Sequence, residues 1–405
     1  MRILFINTGP WGTGSFTLVK CLAKELISLG HQVKVFFPDG NVESEDKKEY
    51  YQNSELYKIW HFPLQKGSIS IQNFPLMIPD PHPRNPHAIT FKDLSTEQQN
   101  LYENELKKEL FTLTQEFKPD VIECHHIWYP AWILKELGLS SYLTAHQSDQ
   151  MGFRFDEKVR EKATAAGRDC KKIIAISEGV KKEVIELYNV DEAQIIVVPN
   201  GYDREVFKVN SRDKQQLTNE LQSKFGINWE RNAPVISFAG KLSLTKGIDI
   251  LLQANYLLSS SDNIQFLVLG AGSIDSIIQN MPSSSYSLKN MHFVGQQTPE
   301  MVAKIHNIST LSLMPSRKEG FGISCLEAMA CGLPVVATRC GGPEHFAVGK
   351  IIDPESPSQL AHGIQELLQL PKTDYLKLRE QALMVANQFT MSEITQKHLK
   401  IYEQI

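Results

Sequence analysis

Residues 1–37 read MRILFINTGPWGTGSFTLVKCLAKELISLGHQVKVFF. Ile3 to Ile6 is a short apolar run of the kind a buried strand shows. A glycine-bearing turn follows, from Thr8 to Gly14. Between Thr17 and Leu29 the residues Leu18, Cys21, Leu22, Leu26 and Leu29 recur at three- and four-residue steps, the period of an amphipathic helix. Gly30 stops that helix, and Gln32 to Phe37 returns to a strand. A strand–helix–strand unit of this kind implies a parallel pair joined by a right-handed crossover.

The same rhythm continues along the chain. Val121-Ile122, Tyr142 to Ala145, Lys172 to Ile176 and Ile195 to Val198 are further strand candidates, and Ser177 caps a helix over Glu178 to Tyr188. A second cycle begins near Pro234. It has strands at Val235 to Ala239, Ile264 to Leu269, Met291 to Val294, Leu311 to Met314 and Pro334 to Thr338, and a helix at Lys246 to Leu258. Two α/β cycles in series predict two Rossmann-like, doubly wound domains facing a cleft. We place the first at 1–207 and the second at 208–389, with the polar stretch Lys208 to Arg231 as a hinge region. The proline-rich segment Pro63 to Pro86 reads as a long surface loop, a place where function is often found.

Composition narrows the function. The chain has 405 residues, 42% hydrophobic and 22% charged, which suits about two packed domains. A formal net charge of -4 argues against a general nucleic-acid binder. Pairs such as Lys107-Lys108 and Lys181-Lys182 read as solvated helix faces. The 6 cysteines are scattered without a Cys-x-x-Cys spacing, so neither a disulfide framework nor a zinc site is indicated, and a cytoplasmic protein with reduced thiols is expected. The first apolar run is too short for a signal peptide. No run approaches the roughly 18 residues of a membrane span. The amphipathic stretch Glu105 to Phe117 reads as core packing, with peripheral membrane contact as its other use.

The stretch richest in chemistry is Pro315-Ser-Arg-Lys-Glu-Gly-Phe-Gly-Ile-Ser-Cys-Leu-Glu-Ala-Met-Ala-Cys-Gly-Leu-Pro334. It leaves a strand and opens a helix at about Gly322. A helix start carries unpaired N–H groups and partial positive charge. Gly320 and Gly322 remove bulk there, so a phosphate can approach the backbone. Glu327 lies inside the helix among apolar neighbours, where an ionised carboxylate needs hydrogen-bond donors. A ribose diol offers two, although a structural glutamate is an equal reading of this residue alone. Glu319 precedes the same turn. The loop Gly240-Lys241-Leu-Ser-Leu-Thr-Lys246-Gly247 follows the first strand of the second cycle. Ligands of open α/β sheets bind at such strand ends, and two lysines there can reach a diphosphate.

Gly240-Lys241-Leu-x3-Lys246-Gly247 followed by Glu319-Gly-Phe-Gly-x4-Glu327 resembles the retaining nucleotide-sugar glycosyltransferases of family 4, which have the GT-B fold. The resemblance covers nearly the whole chain. It extends to Thr8 through Gly14, Leu29-Gly-His31-Gln-Val33, Pro119 through His125, Thr144-Ala-His146, Ala175-Ile-Ser177-Glu, Pro199-Asn200-Gly201-Tyr-Asp203 and Gly341-Gly342-Pro-Glu344. It implies that Lys241 and Lys246 hold the donor diphosphate. The first is commonly Arg in the family, and Lys keeps the charge without the bidentate fork. It implies that backbone around Gly14, Gly240, Gly320, Phe321, Gly322 and Ile323 contacts the donor. Glu327 takes the ribose, Glu319 sits beside the transferred sugar, and His146 points toward that sugar. Trp11, Thr13, His125, Trp128 and Asp149 become acceptor candidates. The N-terminal loop departs from the family's paired glycines at Gly12-Thr13-Gly14-Ser15. Family members often return a last helix to the first domain, here 390–405.

The implied activity is transfer of a hexosyl or N-acetylhexosaminyl group from an NDP-sugar, UDP favoured, to a hydroxyl of a small polar, glycan or lipid-linked acceptor. No cofactor and no metal are expected, since the chain lacks an Asp-x-Asp triplet. Two other readings remain open: a sugar-nucleotide epimerase or phosphorylase on the same architecture, and a catalytically silent sugar-nucleotide-binding scaffold.

Overall fold

The computed structural model describes residues 1–40, 43, 47–80, 82, 84–85, 87, 89–230, 232–258 and 263–403. The chain divides into two units: Met1–Asn200 together with Met391–Ile405, and Gly201–Thr390. The division falls earlier than 207/208. The Tyr202 N–H donates to the Phe389 carbonyl at 3.0 Å, which ties the stretch after Gly201 to the end of the second unit.

The first unit is built on strands β1 (Arg2–Asn7), β2 (Gln32–Asp39), β3 (Tyr57–His61), β6 (Val121–His125), β7 (Tyr142–Ala145), β8 (Ile173–Ala175) and β9 (Ile195–Val197). They form one parallel sheet in the order β3-β2-β1-β6-β7-β8-β9. A separate hairpin joins β4 (Leu64–Lys66) to β5 (Ile69–Ile71). It turns at Gly67, so the segment read as irregular loop begins with ordered structure. Its Pro81, Pro83 and Pro86 lie outside the described residues.

The helix Gly14–Ser28 starts where the Thr13 hydroxyl accepts the Phe16 N–H. Its buried face, with Phe16, Leu22 and Leu26, meets Phe5, Val35 and Phe37 of the sheet in one core. Ile394, Leu399 and Tyr402 of the helix Met391–Tyr402 join the same core. The helix Thr96–Phe117 buries Leu106, Leu110 and Leu113, which is the core-packing use of its apolar stripe.

The second unit has strands β10 (Val235–Ala239), β11 (Gln265–Leu269), β12 (Met291–Gly295), β13 (Leu311–Met314), β14 (Val335–Thr338) and β15 (Gly349–Ile352). They pair in parallel in the order β12-β11-β10-β13-β14-β15. The stretch read as a hinge contains the helix Lys214–Phe225. Its Leu217 and Leu221 pack against Leu267, Leu269 and Ile305, so it is part of this unit's core. Arg231 lies outside the described residues.

Both sheets reverse direction of winding beside their first strand: between β1 and β6 in one unit, between β10 and β13 in the other. Loops leaving the carboxyl ends of such strands diverge and leave room for a ligand. The motif-bearing loops, 8–14 and 125–128, then 240–247 and 315–322, are the loops at these two points.

Candidate functional site

In the second unit, β10 and β13 are hydrogen-bonded neighbours, so the two loops that follow them run side by side. The Arg317 N–H donates to the Thr245 carbonyl at 2.9 Å. The Arg317 guanidinium grips both oxygens of Asp249 at 2.7 and 2.6 Å. Gly247 has φ +70, and a Cβ there would lie 2.0 Å from the Pro315 carbonyl oxygen; only glycine permits this approach. These contacts bring Lys246 to Glu319. Their Nζ–Oε1 distance is 2.6 Å, and the Ser316 hydroxyl donates to the same oxygen at 2.8 Å. Glu319 is largely buried, whereas Lys246 is about one-third exposed, with 31% of its side chain accessible.

The helix Ile323–Ala330 opens directly beyond this pair. Gly322 is its N-cap at φ +96 and no side chain caps it. Its first N–H groups therefore keep their donors and the positive end of the helix dipole. The side chain of Phe321 is buried and stacks on Phe346 at 4.7 Å, so only its backbone can serve a ligand. Beside it, the Glu344 carboxylate accepts N–H groups from Cys340, Gly341 and Gly342. That backbone nest is already filled from within the chain.

Glu327 lies in the second turn of the same helix. Desolvation by the surrounding atoms pushes its pKa up to about 8 from 4.5. No donor among the described residues bonds its carboxyl. A pair of hydroxyl donors placed there would favour the carboxylate and reverse that shift.

In the first unit, His125, His126 and His146 gather at the ends of β6 and β7. His125 Nδ1 lies 2.9 Å from His146 Nε2. Asp149 holds the turn: its carboxylate accepts the N–H groups of Ile127 and His146, each at 3.0 Å. His146 is partly exposed, and burial, then the neighbouring His126 and His125, holds its pKa well below 6.5. His125 is driven down to about 4 by burial, against the pull of Glu123.

Four acceptor candidates have buried side chains. Trp128 is fully buried, packed on Phe91 and against the bare Cα of Gly152. Trp11 is buried between Tyr50, stacked at 4.9 Å, and the Arg84 guanidinium at 4.4 Å. His125 and Asp149 are also fully buried, one on His146 and the other on the turn. Thr13 is half-buried and its hydroxyl is occupied in capping the first helix, while Gly14 is exposed. Sequence reasoning passed over Asp39 and Arg84, a buried ion pair joined by the Tyr51 hydroxyl. From the same segment, His82 reaches the Gly12 carbonyl at 3.2 Å. These residues brace the glycine turn from afar, and no local pattern reports such a contact.

Residues 12–206 match the glycosyltransferase family 4 pattern, and residues 219–383 match the glycosyl transferases group 1 pattern. This chain is a family 4 type GT-B glycosyltransferase. A glycosyltransferase of Methanocaldococcus jannaschii is 26% identical over 70% of this chain and 73% of its own. A D-inositol 3-phosphate glycosyltransferase of Catenulispora acidiphila is 30% identical over 60% of this chain and 59% of its own. The GT-B fold is shared with HepE of Anabaena, solved with UDP and glucose, at a TM-score of 0.75 and 17% identity over 100% of both chains. It is shared equally, at 0.75 and 18% identity over 100% of this chain and 98% of the other, with sucrose-phosphate synthase of Thermosynechococcus elongatus. Among the described residues no helix of this glycosyltransferase is long and apolar enough to cross a membrane, and no group of His, Cys, Asp and Glu is placed to hold a metal ion.

Proposed function

We propose that this glycosyltransferase moves a hexosyl or N-acetylhexosaminyl group, with retention and without a metal, from a UDP-sugar to a hydroxyl of a small polar, glycan or lipid-linked acceptor. The observation that carries this reading is the arrangement in the second unit. Lys246 stands beside an uncapped helix start, with an unbonded carboxyl, Glu327, in the following turn. Lys241, Lys246 and the N–H groups from Gly320 to Ile323, with Gly240 close by, would receive the diphosphate. Glu327 would accept the ribose hydroxyls. Glu319, steered by Lys246 and Ser316, would meet the transferred sugar, and His146 would accept a hydrogen bond from a sugar hydroxyl.

The leaving group is a diphosphate, so catalysis asks mainly for charge stabilisation as the C1–O bond breaks. A preorganised donor of this sort is worth about 3 kcal/mol. The acceptor oxygen would bond to C1 on the face the diphosphate leaves, and its proton would pass to a phosphate oxygen. UDP is favoured because HepE is solved with it, and a polyol acceptor because the Catenulispora relative is named for inositol phosphate. The cysteines among the described residues form no disulfide, in keeping with a cytoplasmic setting.

The test is incubation with UDP-glucose, UDP-N-acetylglucosamine or GDP-mannose and a panel of polyols and glycans, with EDTA present. Proton NMR of the product anomer reads the outcome. An α-linked product from an α-linked donor is expected. A β-linked product contradicts retention, and a requirement for added metal contradicts metal independence.

A further inference from the structure

Glu123 is fully buried in the middle of the first unit, on a strand whose other inward residues are apolar or histidine. Four groups surround its carboxylate. The Thr144 hydroxyl donates to Oε1 at 2.5 Å. The Tyr402 hydroxyl donates to Oε2, and His398 Nδ1 lies 3.1 Å from the same oxygen. His125 Nε2 stands 3.3 Å from Oε1, off the line of a good hydrogen bond. Burial alone would raise this carboxyl's pKa, but His398, His125 and Thr144 together bring it down to about 2. The site therefore holds a fixed negative charge, anchored from the C-terminal helix Met391–Tyr402.

That charge decides which nitrogens carry protons. The carboxylate's negative charge 3.3 Å from His125 Nε2 favours a proton on that nitrogen over a bare lone pair, so the proton belongs on Nε2. His125 Nδ1 is then an acceptor, and the 2.9 Å contact requires the proton on His146 Nε2. His146 Nδ1 is left with a bare lone pair on the partly exposed side of the ring. An orienting carboxylate acts in this way in other histidine-dependent sites, where the wrong tautomer is far more damaging than the lost hydrogen bond itself.

We propose that Glu123, clamped by His398 and Tyr402, is a positioning residue that fixes the His146 tautomer through His125, making His146 Nδ1 an obligate hydrogen-bond acceptor for a sugar hydroxyl. The sugar contact rests on the function proposed above; the tautomer does not. The C-terminal helix is thereby part of the site's chemistry as well as of its core.

The experiment is nitrogen NMR of the full chain labelled with 15N-histidine, with His146 assigned by the loss of its signals in His146→Gln. The wild type should show a pyridine-like Nδ1 and a pyrrole-like Nε2 at His146. The reverse pattern overturns the proposal with no variant needed. In Glu123→Gln the amide can donate to His125 Nε2, so the His146 pattern should invert. Its kcat should fall by about 100-fold, as for a misoriented catalytic contact, at unchanged UDP affinity. An unshifted His146 spectrum, or wild-type kcat, in a folded Glu123→Gln overturns the proposal. If that variant does not fold, Tyr402→Phe and His398→Gln remove one clamp each. Both should mix the tautomers at His146, and a wild-type spectrum in both overturns the clamp. The expected tautomer in a wild type that transfers no sugar from any donor would refute the proposed reaction and leave the network standing.

Discussion

Two of the close carboxylate–cation pairs at the carboxyl ends of the glycosyltransferase's sheets are placed differently. Arg84 and Asp39 in the first unit expose 3% and 0% of their side chains; Lys246 and Glu319 in the second expose 31% and 10%. A buried pair is weak evidence for stability, but losing one partner strands the other charge in a medium that cannot solvate it. A pair with one partly exposed partner can trade that partner for a ligand at smaller cost. The first therefore braces a loop, and the second is the pair proposed to meet a substrate. The same contrast runs further: in the first unit Glu123, Asp149 and Asp39 spend their oxygens on buried groups, while in the second a helix start and the Glu327 carboxyl keep their hydrogen-bonding capacity.

The largest expected effect tests the buried side. Arg84→Ala should cost about 3–5 kcal/mol of stability in a denaturant titration, because the buried Asp39 loses its cation. A loss under 1 kcal/mol would mean that water reaches Asp39 and that the two pairs are not so different. Lys246→Ala should act in the opposite sense. Its kcat should drop by about 10²–10³, while its unfolding free energy stays within about 1 kcal/mol of wild type. Unchanged turnover would remove Lys246 from the mechanism.

Glu327 sharpens the comparison through pH. Its folded pKa of about 8 lies above the ordinary 4.5, so between those values the folded state binds the extra proton and stability falls as pH rises. Glu327→Gln has no such dependence. The melting temperature of the variant relative to wild type should therefore climb from pH 5 to pH 8.5 and level off beyond. A gap that stays flat would show that the carboxyl is solvated. The smallest effect belongs to Thr13. Thr13→Ala removes the cap of the first helix and should cost about 1 kcal/mol; a cost of more than 2 would show that the hydroxyl does more than cap.

The second unit's candidate site was legible in the sequence because its parts are local. Gly240 to Gly247 and Glu319 to Glu327 each fall within one loop and the start of one helix, and the strands before them are clean apolar runs. Spacing there translates directly into position. The first unit was less legible because its site is assembled across the chain. Glu123 meets Tyr402, and Asp39 meets Arg84, through contacts that no short pattern encodes. Trp11 and Trp128 are acceptor candidates in sequence, yet both rings are used for packing. An aromatic residue beside a motif gives no sign of which way it turns. The β15 strand was missed for a related reason: Gly349–Ile352 is short and only half-buried, so its pairing with β14 is set by the sheet.

The measurement that tests the central claim most directly is calorimetric titration of UDP, with EDTA present, into wild type, Lys246→Ala, Glu327→Ala and His146→Ala. The account predicts binding to wild type, weakened by about tenfold or more in the two second-unit variants and unchanged in His146→Ala, because the nucleotide site lies within the second unit. Equal affinity across all four proteins, or no binding to wild type, would contradict it.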